Sequence, residues 1–486
     1  MATVKLDKFG GIAPRVHPSL LPDGMATTAH NCRLKNGKAR PLRQPAELDR
    51  SQHTVYHENG LGDIADAKSV FCWKHTTRDG TVRTDFLAFP GRVYFAHGNI
   101  ADDVYDRIFA TGETGATTVQ QNGTFVHDCA VAYMFDRERD KIVRHILYKE
   151  ALDAPRCSLD GTLDENDIAY AYFFFSWFDE FGYESPASAP SLNLNSGTSY
   201  TKEPLMYSQN SVVRFGPLYL PAAARGVRVY KTNAGDETDN IQFVKEFGRG
   251  ELLNLQNEFT IRIDDTQAGE TMPEIEAPPA DLCDMTAVPG GFYAGRMRSK
   301  PHTVGFSEVD NPTDWPTAYR YDVRDNVVKL AVTSNSVFAL TDGTPYVISG
   351  TAPESMTVTA LAESAACVSE KSVCVSRNTV YFASNQGLYA IYNDADEGTV
   401  CKNLTAGLLT KEQWQELNPA SCMTGQYDGA LHLFFTTTDR ETGETTHKAI
   451  IIDLADGQAV MTTHDEMAAC LATDERSDEL YFVREV

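Results

Sequence analysis

The feature that most constrains the fold is a pattern of short strands that occurs twice in succession between residues 326 and 392. Runs of β-branched and aromatic residues are broken by polar pairs such as Asp342-Gly343 and Arg377-Asn378. The runs are 326–332, 336–340 and 345–350 in the first copy, and 372–375, 379–383 and 387–392 in the second. Such runs fit a pleated, half-buried surface, and the polar pairs supply turns. Short strands at this pitch predict sheets stacked as repeats, as in the blades of a β-propeller.

Residues 56–155 show the same alternation of short predicted strands and turns. Its predicted strands are 69–74, 85–89, 92–96, 130–135 and 142–148. Because the pattern resumes after the next block, we assign 56–155 to the first part of the propeller and 276–486 to its remainder. The last predicted strand, 479–483, would close the ring if it paired with an early strand, and closure removes sheet edges that otherwise aggregate.

Residues 156–275 differ in character and predict a separate domain. The block contains the most aromatic run of the chain, 168–178, and the strictly alternating segments 227–231 and 260–264. Strict alternation is typical of half-buried strands. About five strands in roughly a hundred residues fit a small sandwich of the fibronectin-III type. The predicted fold class is therefore all-β, a β-propeller with an inserted fibronectin-III-like β-sandwich domain and an extended N-terminal arm.

Residues 1–55 form the predicted arm. Prolines and glycines are frequent at its start, and they favour extended or turning backbone. A short helix is predicted from Asp23 to about Asn31. Beyond it, Asn36-Gly37 predicts a hairpin, because this pair suits a two-residue turn that needs positive φ at both positions.

The arm also carries an excess of positive charge. Its first fifty residues contain nine Lys or Arg and four acidic residues, a net charge of +5; the whole chain carries −24, so the remaining residues carry −29. This polarity predicts docking of the arm on an acidic surface, either the protein's own body or a neighbouring subunit. A solvated basic hairpin is the alternative. The candidate docking residues are Arg33, Lys35, Lys38, Arg40 and Arg43.

The acidity of the whole chain excludes broad classes of partner. Affinity for nucleic-acid phosphates and for anionic membranes comes from Lys and Arg, so general nucleic-acid or membrane-surface binding is not expected. The longest nearly apolar run, 168–178, is shorter than the roughly 20 residues of a membrane helix, and no secretory leader is visible, so no membrane anchor is expected. The ten cysteines include no Cys-x-x-Cys pair and are interpreted as reduced thiols of a protein assembled in a cytoplasm.

The sequence contains none of the common motifs of catalytic or phosphate-binding sites. The chain has no Gly-x-Ser-x-Gly, no His-Glu-x-x-His and no phosphate-binding loop, and no pair of its carboxylates can be singled out as an acid/base couple. The acidic stretch from Asn393 to Gly398 lacks the full spacing of a calcium loop and is interpreted as a turn. We therefore expect no enzyme activity, no catalytic or metal-binding residue and no cofactor.

Two structural positions are also predicted. Trp315, between Asp314 and Pro316, is a candidate packing anchor where the chain re-enters the propeller. Thr410 is the predicted N-cap of a helix over 411–417.

Several segments resemble one family of proteins from tailed bacteriophages. The segments are 9–12, 181–186, 226–231, 304–308, 311–316, 344–350, 366–369 and 381–388. Among them are Phe-Gly-Gly-Ile at the start, Gly-Val-Arg-Val-Tyr-Lys in the middle block and Asn-Pro-Thr-Asp-Trp-Pro before the central stretch. In this order they resemble the propeller-bearing nozzle (tail hub) proteins of short-tailed phages.

This resemblance implies a structural channel protein of the virion and not an enzyme. It implies a homo-oligomeric ring around the DNA channel, with six subunits in the similar proteins. The ring would dock on adaptor or portal-side proteins and other tail proteins, with the five basic arm residues at the contact. It would retain packaged DNA and pass it, without sequence specificity, at ejection. The resemblance thus places the protein in the phage tail, after assembly in the host cytoplasm.

Two alternatives stay open from sequence. A carbohydrate-binding or glycosidase-type β-propeller would need paired carboxylates or stacked aromatic residues in the propeller mouth. A tail-fibre or baseplate component would keep the virion location and change only the position in the particle.

Overall fold

The computed structural model describes residues 8–484 except 36, 50, 52, 58–63, 99–105, 120–122, 137–140, 196–197, 234–239, 265–268, 335, 395, 440–441, 456–457 and 475–477. Within these residues the protein contains forty strands and two short α-helices. The predicted all-β fold is therefore confirmed.

The arm consists of short strands and turns. Its strands are β1 (Gly11–Ile12), β2 (Met25–Ala26), β3 (Cys32–Lys35) and β4 (Lys38–Pro41). β1 and β2 pair in parallel, and β3 and β4 form the predicted hairpin with a two-residue loop, of which Asn36 lies outside the described residues. The helix predicted from Asp23 is wrong. Gly24 there has φ +87 and starts the turn into β2, so hydrogen bonds to neighbouring segments replace a helical turn.

Two sheets, which we name blades 1 and 2, follow the arm. Blade 1 contains β5 (Val55–His57), β6 (Ser69–Thr76) and β7 (Val82–Phe89) in the order β5-β7-β6. Blade 2 is formed by β8 (Val93–His97), β9 (Ile108–Gly112), β12 (Val131–Asp136) and β13 (Lys141–Ile146), with the hairpin β10 (Thr117–Val119) and β11 (Phe125–His127) between β9 and β12.

The inserted domain lies between β13 and the next blade. Its elements are β14 (Arg156–Asp160), β15 (Ala169–Ala171), β16 (Phe173–Phe178), β17 (Leu192–Leu194), β18 (Leu205–Tyr207), β19 (Val212–Phe215), β20 (Gly226–Thr232), β21 (Ile241–Gly248), α1 (Arg249–Asn254) and β22 (Phe259–Arg262). The sheets β17-β14-β19-β22 and β16-β20-β21, with the pair β15-β18, surround one aromatic core that runs from Leu152 to Ile263. The fibronectin-III assignment stays a prediction, and the parallel pair β14-β17 is a feature that the sequence did not indicate.

Blades 3 to 7 complete the chain. Blade 3 is β23 (Leu282–Val288), β24 (Phe292–Met297), β25 (Lys300–Phe306) and β26 (Arg320–Asp322); blade 4 is β27 (Val327–Val332), β28 (Val337–Thr341), β29 (Tyr346–Ser349) and β30 (Thr357–Ala360). Blade 5 is β31 (Cys374–Ser376), β32 (Thr379–Ser384), β33 (Gly387–Asp394) and β34 (Gly398–Asn403). After α2 (Lys411–Gln415), blade 6 is β35 (Met423–Tyr427), β36 (Ala430–Thr438), β37 (Thr445–Ala455) and β38 (Gln458–His464), and blade 7 is β39 (Cys470–Asp474) and β40 (Glu479–Val483).

Hydrophobic clusters join these blades into a closed ring. Among the described residues, each neighbouring pair of blades shares one buried cluster, including the pair formed by blade 7 and blade 1. Seven small sheets packed face to face around a common axis form a β-propeller, so the predicted architecture is confirmed.

The alternation within blade 4 explains the sequence pattern. In β28, Val337 and Ala339 pack toward blade 3, whereas Phe338 and Leu340 pack toward blade 5. Successive side chains of a strand point to opposite faces, and here both faces are covered by a neighbouring blade. The strand therefore reads as a continuous apolar run.

The ring closes by packing of the terminal blades. Within the described part of the chain, β39 and β40 pair with each other and not with an early strand. Cys470 and Val483 of this hairpin pack on Val55, Val70 and Ala88 of blade 1. The prediction that the last strand would pair with an early strand is therefore wrong, although the C-terminus does close the ring.

The predicted helix after the central stretch is confirmed. Thr410 caps α2 through a capping box, in which its hydroxyl accepts from the N–H of Gln413 and its own N–H donates to the Gln413 side chain. Trp414 of this helix is buried between blades 5 and 6. Among the described residues, no helix is long and apolar enough to cross a membrane.

Candidate functional site

The arm lies on the protein's own blade 6. β1 and β3 contact β38, and His30 bridges to Thr463 in parallel. Ile12 and Ala13 enter the hydrophobic cluster between blades 5 and 6. The arm was predicted to dock either on the protein's own body or on a neighbouring subunit. The side of the arm that faces blade 6 docks on the protein's own body.

Two of the five candidate docking residues hold the arm in place. Arg33 is 5% exposed, and its Nη1 donates to Oδ2 of Asp453 at 2.6 Å. Its other terminal nitrogen donates to the carbonyl oxygen of Asp428, and Lys35 Nζ lies 2.8 Å from Oδ1 of that residue. The hydrogen bond from Lys35 and the nearby guanidinium of Arg33 lower the pKa of Asp428. Arg33 and Lys35 are therefore occupied within the chain.

The other three candidates face solvent. Lys38, Arg40 and Arg43 are exposed, and none of them makes an ion pair with a residue that the structure describes. They lie on and just after β4, whose second edge pairs with no other described strand. The hairpin is thus divided into a bound strand and a free cationic edge.

Two neutral histidines are buried below the arm. The side chains of His432 and His464 have ring centroids 5.5 Å apart. Burial, with repulsion from His464 and Arg33, lowers the pKa of His432 from 6.5 to about 3. Burial likewise lowers the pKa of His464 to about 4, against the attraction of Asp465. The arm-binding face of blade 6 therefore favours the uncharged forms of both rings.

We expect this pair to make the protein sensitive to acid. Between pH 6.5 and about 4 the unfolded chain binds more protons at these two histidines than the folded chain does. The contribution of the two neutral rings to the free energy of unfolding is therefore complete above pH 6.5 and is lost as the pH falls. Each histidine contributes a slope of at most about 1.4 kcal/mol per pH unit. Urea unfolding from pH 4 to 7 should show a shallower acid slope for the double variant His432→Asn, His464→Asn. The exposed His17→Asn is the control, and equal slopes in all three proteins would contradict the prediction.

Trp315 lies between blades 2 and 3. It is 1% exposed, and its Nε1 donates to the carbonyl oxygen of Pro312 at 2.9 Å. Its cluster includes Phe109 and Tyr293. A Cβ at Gly295 would lie 2.7 Å from Leu282 Cδ1 and 3.1 Å from the Trp315 ring, so the glycine makes room for both side chains.

The sequence did not predict a cavity at the centre of the ring. The strands β6, β8, β23, β27, β31, β35 and β39 contact one another around the axis and are the innermost strands of their blades. Residues at or just before the starts of most of them line a cavity of about 340 Å³, which we name the central cavity. The charged residues in its lining are Lys68, Arg92, Lys329, Glu370 and Lys371.

A network of five residues, the central polar cluster, lies at this cavity and joins four blades. Its members are Tyr94, Asp284, Arg296, Lys329 and Glu370. Tyr94 Oη donates to Glu370 at 2.5 Å and accepts from Arg296 Nη2 at 2.8 Å. Lys329 Nζ donates to Asp284 and lies 4.6 Å from the centroid of the Tyr94 ring. Burial, together with the nearby carboxylates of Asp284 and Glu370, raises the pKa of Tyr94.

The backbone of Asp284 shows how this network is built. Asp284 is fully buried and has φ +55, a left-handed conformation that is uncommon outside glycine, although Asp adopts it more readily than most residues. It lies in an irregularity of the β23–β24 pairing between Cys283 and Thr286. This bulge lets the Asp284 carboxylate accept the N–H of Leu330 at 2.5 Å. Strained backbone of this kind persists only where the surroundings hold it.

The part of the chain that the structure describes holds no metal-binding cluster. Among the described residues, no group of three or more His, Cys, Asp or Glu side chains could hold a metal ion. In the acidic loop, Asp394 accepts the backbone N–H groups of Asp396 and Glu397, and Ala395 lies outside the described residues. All ten cysteines are free thiols.

Comparisons with known proteins add little to these observations. No family model matches the chain, and no curated protein matches it. Similar solved structures include Hsv2 of Kluyveromyces lactis, with 9% identity over 56% of this chain and 66% of that chain and a TM-score of 0.28. A protein of unknown function from Desulfotomaculum acetoxidans is 12% identical over 76% and 84%, with a TM-score of 0.29. AztD of Citrobacter koseri is 10% identical over 65% and 77%, with a TM-score of 0.27. These values carry no argument about function, and the propeller assignment rests on the blades themselves.

Proposed function

We propose that this chain is a structural protein of a bacteriophage tail, a nozzle or hub subunit that forms a ring around the DNA channel. In this role the ring, of six subunits, docks on adaptor or portal-side proteins and other tail proteins, retains packaged DNA and passes it at ejection. The protein would be assembled in the host cytoplasm and would then reside in the virion tail. The proposal originates in the sequence segments that resemble nozzle proteins.

The observation that carries the proposal is that some basic residues of the arm are bound to blade 6 while others face solvent. Arg33 and Lys35 fix the hairpin to its own blade 6, so the free edge is held in a defined position. That edge presents Lys38, Arg40 and Arg43 to solvent, whereas residues 51–486 carry a net charge of −29. A held cationic edge is complementary to an acidic surface of the next subunit, and such complementarity gives register and association rate.

The closed propeller suits a mechanical role. A ring of blades with a buried cluster at each junction resists deformation, because packed interiors transmit strain and have low compressibility. An acidic surface facing DNA would keep the polymer from adhering during passage. Both properties support a channel wall.

We expect charge reversal of the free edge to disrupt the ring. The triple variant Lys38→Glu, Arg40→Glu, Arg43→Glu should fall from ring to monomer mass by light scattering, while its melting temperature stays near that of the wild type. Wild-type rings in negative stain should have a central hole about the width of duplex DNA. The matched control reverses three exposed lysines elsewhere, Lys202, Lys402 and Lys411.

Two outcomes would contradict this proposal. Intact rings of the triple variant would exclude the hairpin from the subunit contact. A wild-type protein that is monomeric at all concentrations and at low salt would oppose self-assembly, and ring formation would then have to be tested on the purified adaptor. A glycan array would test the carbohydrate-binding alternative, for which the central cavity is the relevant observation.

A further inference from the structure

The charge of the central cavity is opposite to that of the protein. Its lining contains four cations, Lys68, Arg92, Lys329 and Lys371, and one carboxylate, Glu370. The whole chain, in contrast, has a net charge of −24. Lys68 and Arg92 directly precede β6 and β8, and Lys371 lies shortly before β31, so three blades each bring a cation to the end of the ring where the innermost strands begin.

These cations are not equally neutralised. Lys329 donates to the buried carboxylate of Asp284, and Arg92 Nη1 lies 3.7 Å from Oε1 of Glu370. Lys68 and Lys371 are exposed, and neither forms an ion pair with any described carboxylate. Their charge is therefore available to a ligand.

Glu370 is bound by other members of the central polar cluster and not by these two lysines. Its Oε2 accepts from Tyr94 at 2.5 Å and lies 3.6 Å from Arg296 Nη2. Arg296 is in turn 3.6 Å from Asp284. Although burial by itself disfavours a charged guanidinium, the surrounding acidic groups, Asp284 foremost, raise the pKa of Arg296 and keep it protonated. The single carboxylate of the lining is thus held by partners other than Lys68 and Lys371.

Much of the remaining cavity wall is apolar, with a few hydroxyl-bearing residues among the apolar ones. Its wall includes Val70, Val375 and Leu471, and the rings of Phe71 and Phe95 stack there with centroids 5.0 Å apart. An apolar wall below a few convergent charged groups is typical of small-molecule sites, whose volumes begin near 300 Å³. A volume of about 340 Å³ limits the ligand to a small molecule.

We propose that the central cavity binds a small organic anion, whose carboxylate or phosphate contacts Lys68, Arg92 and Lys371 and whose body packs on Phe71 and Phe95. Lysine and arginine donors form strong charge-assisted hydrogen bonds to both kinds of oxyanion, so the chemistry they share is the anionic head. This site is independent of the ring proposal, because it lies at the axis of one propeller and the arm hairpin lies on blade 6.

The test is thermal unfolding and titration calorimetry with defined probes. The probes are inorganic phosphate, glucose 6-phosphate and N-acetylneuraminate, with glucose and N-acetylglucosamine as neutral counterparts and sodium chloride at matched ionic strength. We expect a saturable rise in melting temperature with at least one anionic probe and none with the neutral sugars. Glucose 6-phosphate and N-acetylneuraminate distinguish a phosphate from a carboxylate head.

Variants assign the binding to this cavity. The double variant Lys68→Ala, Lys371→Ala should bind the tightest anionic probe with at least tenfold lower affinity than the wild type. The control variant Lys402→Ala, at an exposed lysine elsewhere, should bind that probe with unchanged affinity. Because Lys68 and Lys371 are exposed, both variants should fold, and their melting temperatures without ligand provide the check. No saturable binding of any anionic probe, or equal affinity in the double variant and the wild type, would overturn the proposal.

Discussion

Replacing Trp315 by alanine is expected to reduce the free energy of unfolding by about 3–5 kcal/mol, as truncation of a buried aromatic side chain does. The indole is 1% exposed and fills the space between blades 2 and 3, where Gly295 makes room for it. Its removal would leave a cavity and would also orphan the carbonyl oxygen of Pro312.

Urea denaturation at neutral pH measures this loss. Tyr219→Ala is a suitable control, because Tyr219 is 79% exposed and its removal should change stability by less than about 0.5 kcal/mol. An unchanged melting temperature for the Trp315 variant would show that the indole does not stabilise the junction of blades 2 and 3.

The second large effect is expected where the inserted domain meets blade 2. Lys149 follows the last strand of blade 2, and its side chain is 1% exposed. Its Nζ lies 2.7 Å from Oδ2 of Asp179 and donates to the carbonyl oxygen of Tyr183 at 2.9 Å. Burial lowers the pKa of Lys149 to about 8, although Asp179 opposes this shift. A charged lysine at this depth depends mainly on Asp179, the described carboxylate within ion-pair distance, with a smaller contribution from Glu184.

Asp179→Asn is therefore expected to cost about 3–5 kcal/mol, because it leaves a buried charge without its counterion. The amide oxygen can still accept from the N–H groups of Phe181 and Tyr183, so the loss reports mainly on the ion pair. The control is Asp160→Asn, whose ion pair with Arg214 is about half exposed, with an expected cost of 0–1 kcal/mol. Equal melting temperatures for the two variants would indicate that Lys149 tolerates the loss by releasing its proton.

The strands most visible in the sequence are those buried on both faces. β28 and β32 are covered by neighbouring blades on each side, and their continuous apolar runs are visible in the sequence. The outer strands β30 and β34 were not predicted. Three of the four residues of β30 are exposed, and Thr-Val-Thr-Ala has no apolar face to indicate a strand. Edge strands contribute little burial, so their composition is free to vary.

The arm shows how a charge pattern predicts contact without identifying the partner. Five basic residues in and just after the hairpin predicted contact with an acidic surface, and Arg33 and Lys35 do bind carboxylates. Asp453, however, is 420 positions away from Arg33 in the chain. Only the packing of β3 on blade 6 decides that β3 is the bound strand of the hairpin and that β4 presents a free edge.

The central cavity could not have been predicted from one sequence. Lys68, Arg92 and Lys371 belong to no shared motif, and the single property they have in common is their position shortly before an innermost strand. That property has meaning only when the ring is closed and the strand starts converge. The bulge that turns Asp284 toward Lys329 is likewise a result of strand pairing, since it depends on the register between β23 and β24.

By itself, the sequence determined the all-β class, the repeated sheets, the separate aromatic block at 156–275 and the capped helix α2, because these depend on the periodicity and turn chemistry of contiguous residues. The tertiary structure alone decided the seven-sheet closure, the strand of the hairpin that remains free and the cations that share a cavity. Each of these depends on contacts between residues far apart in the chain, and such contacts leave no local pattern.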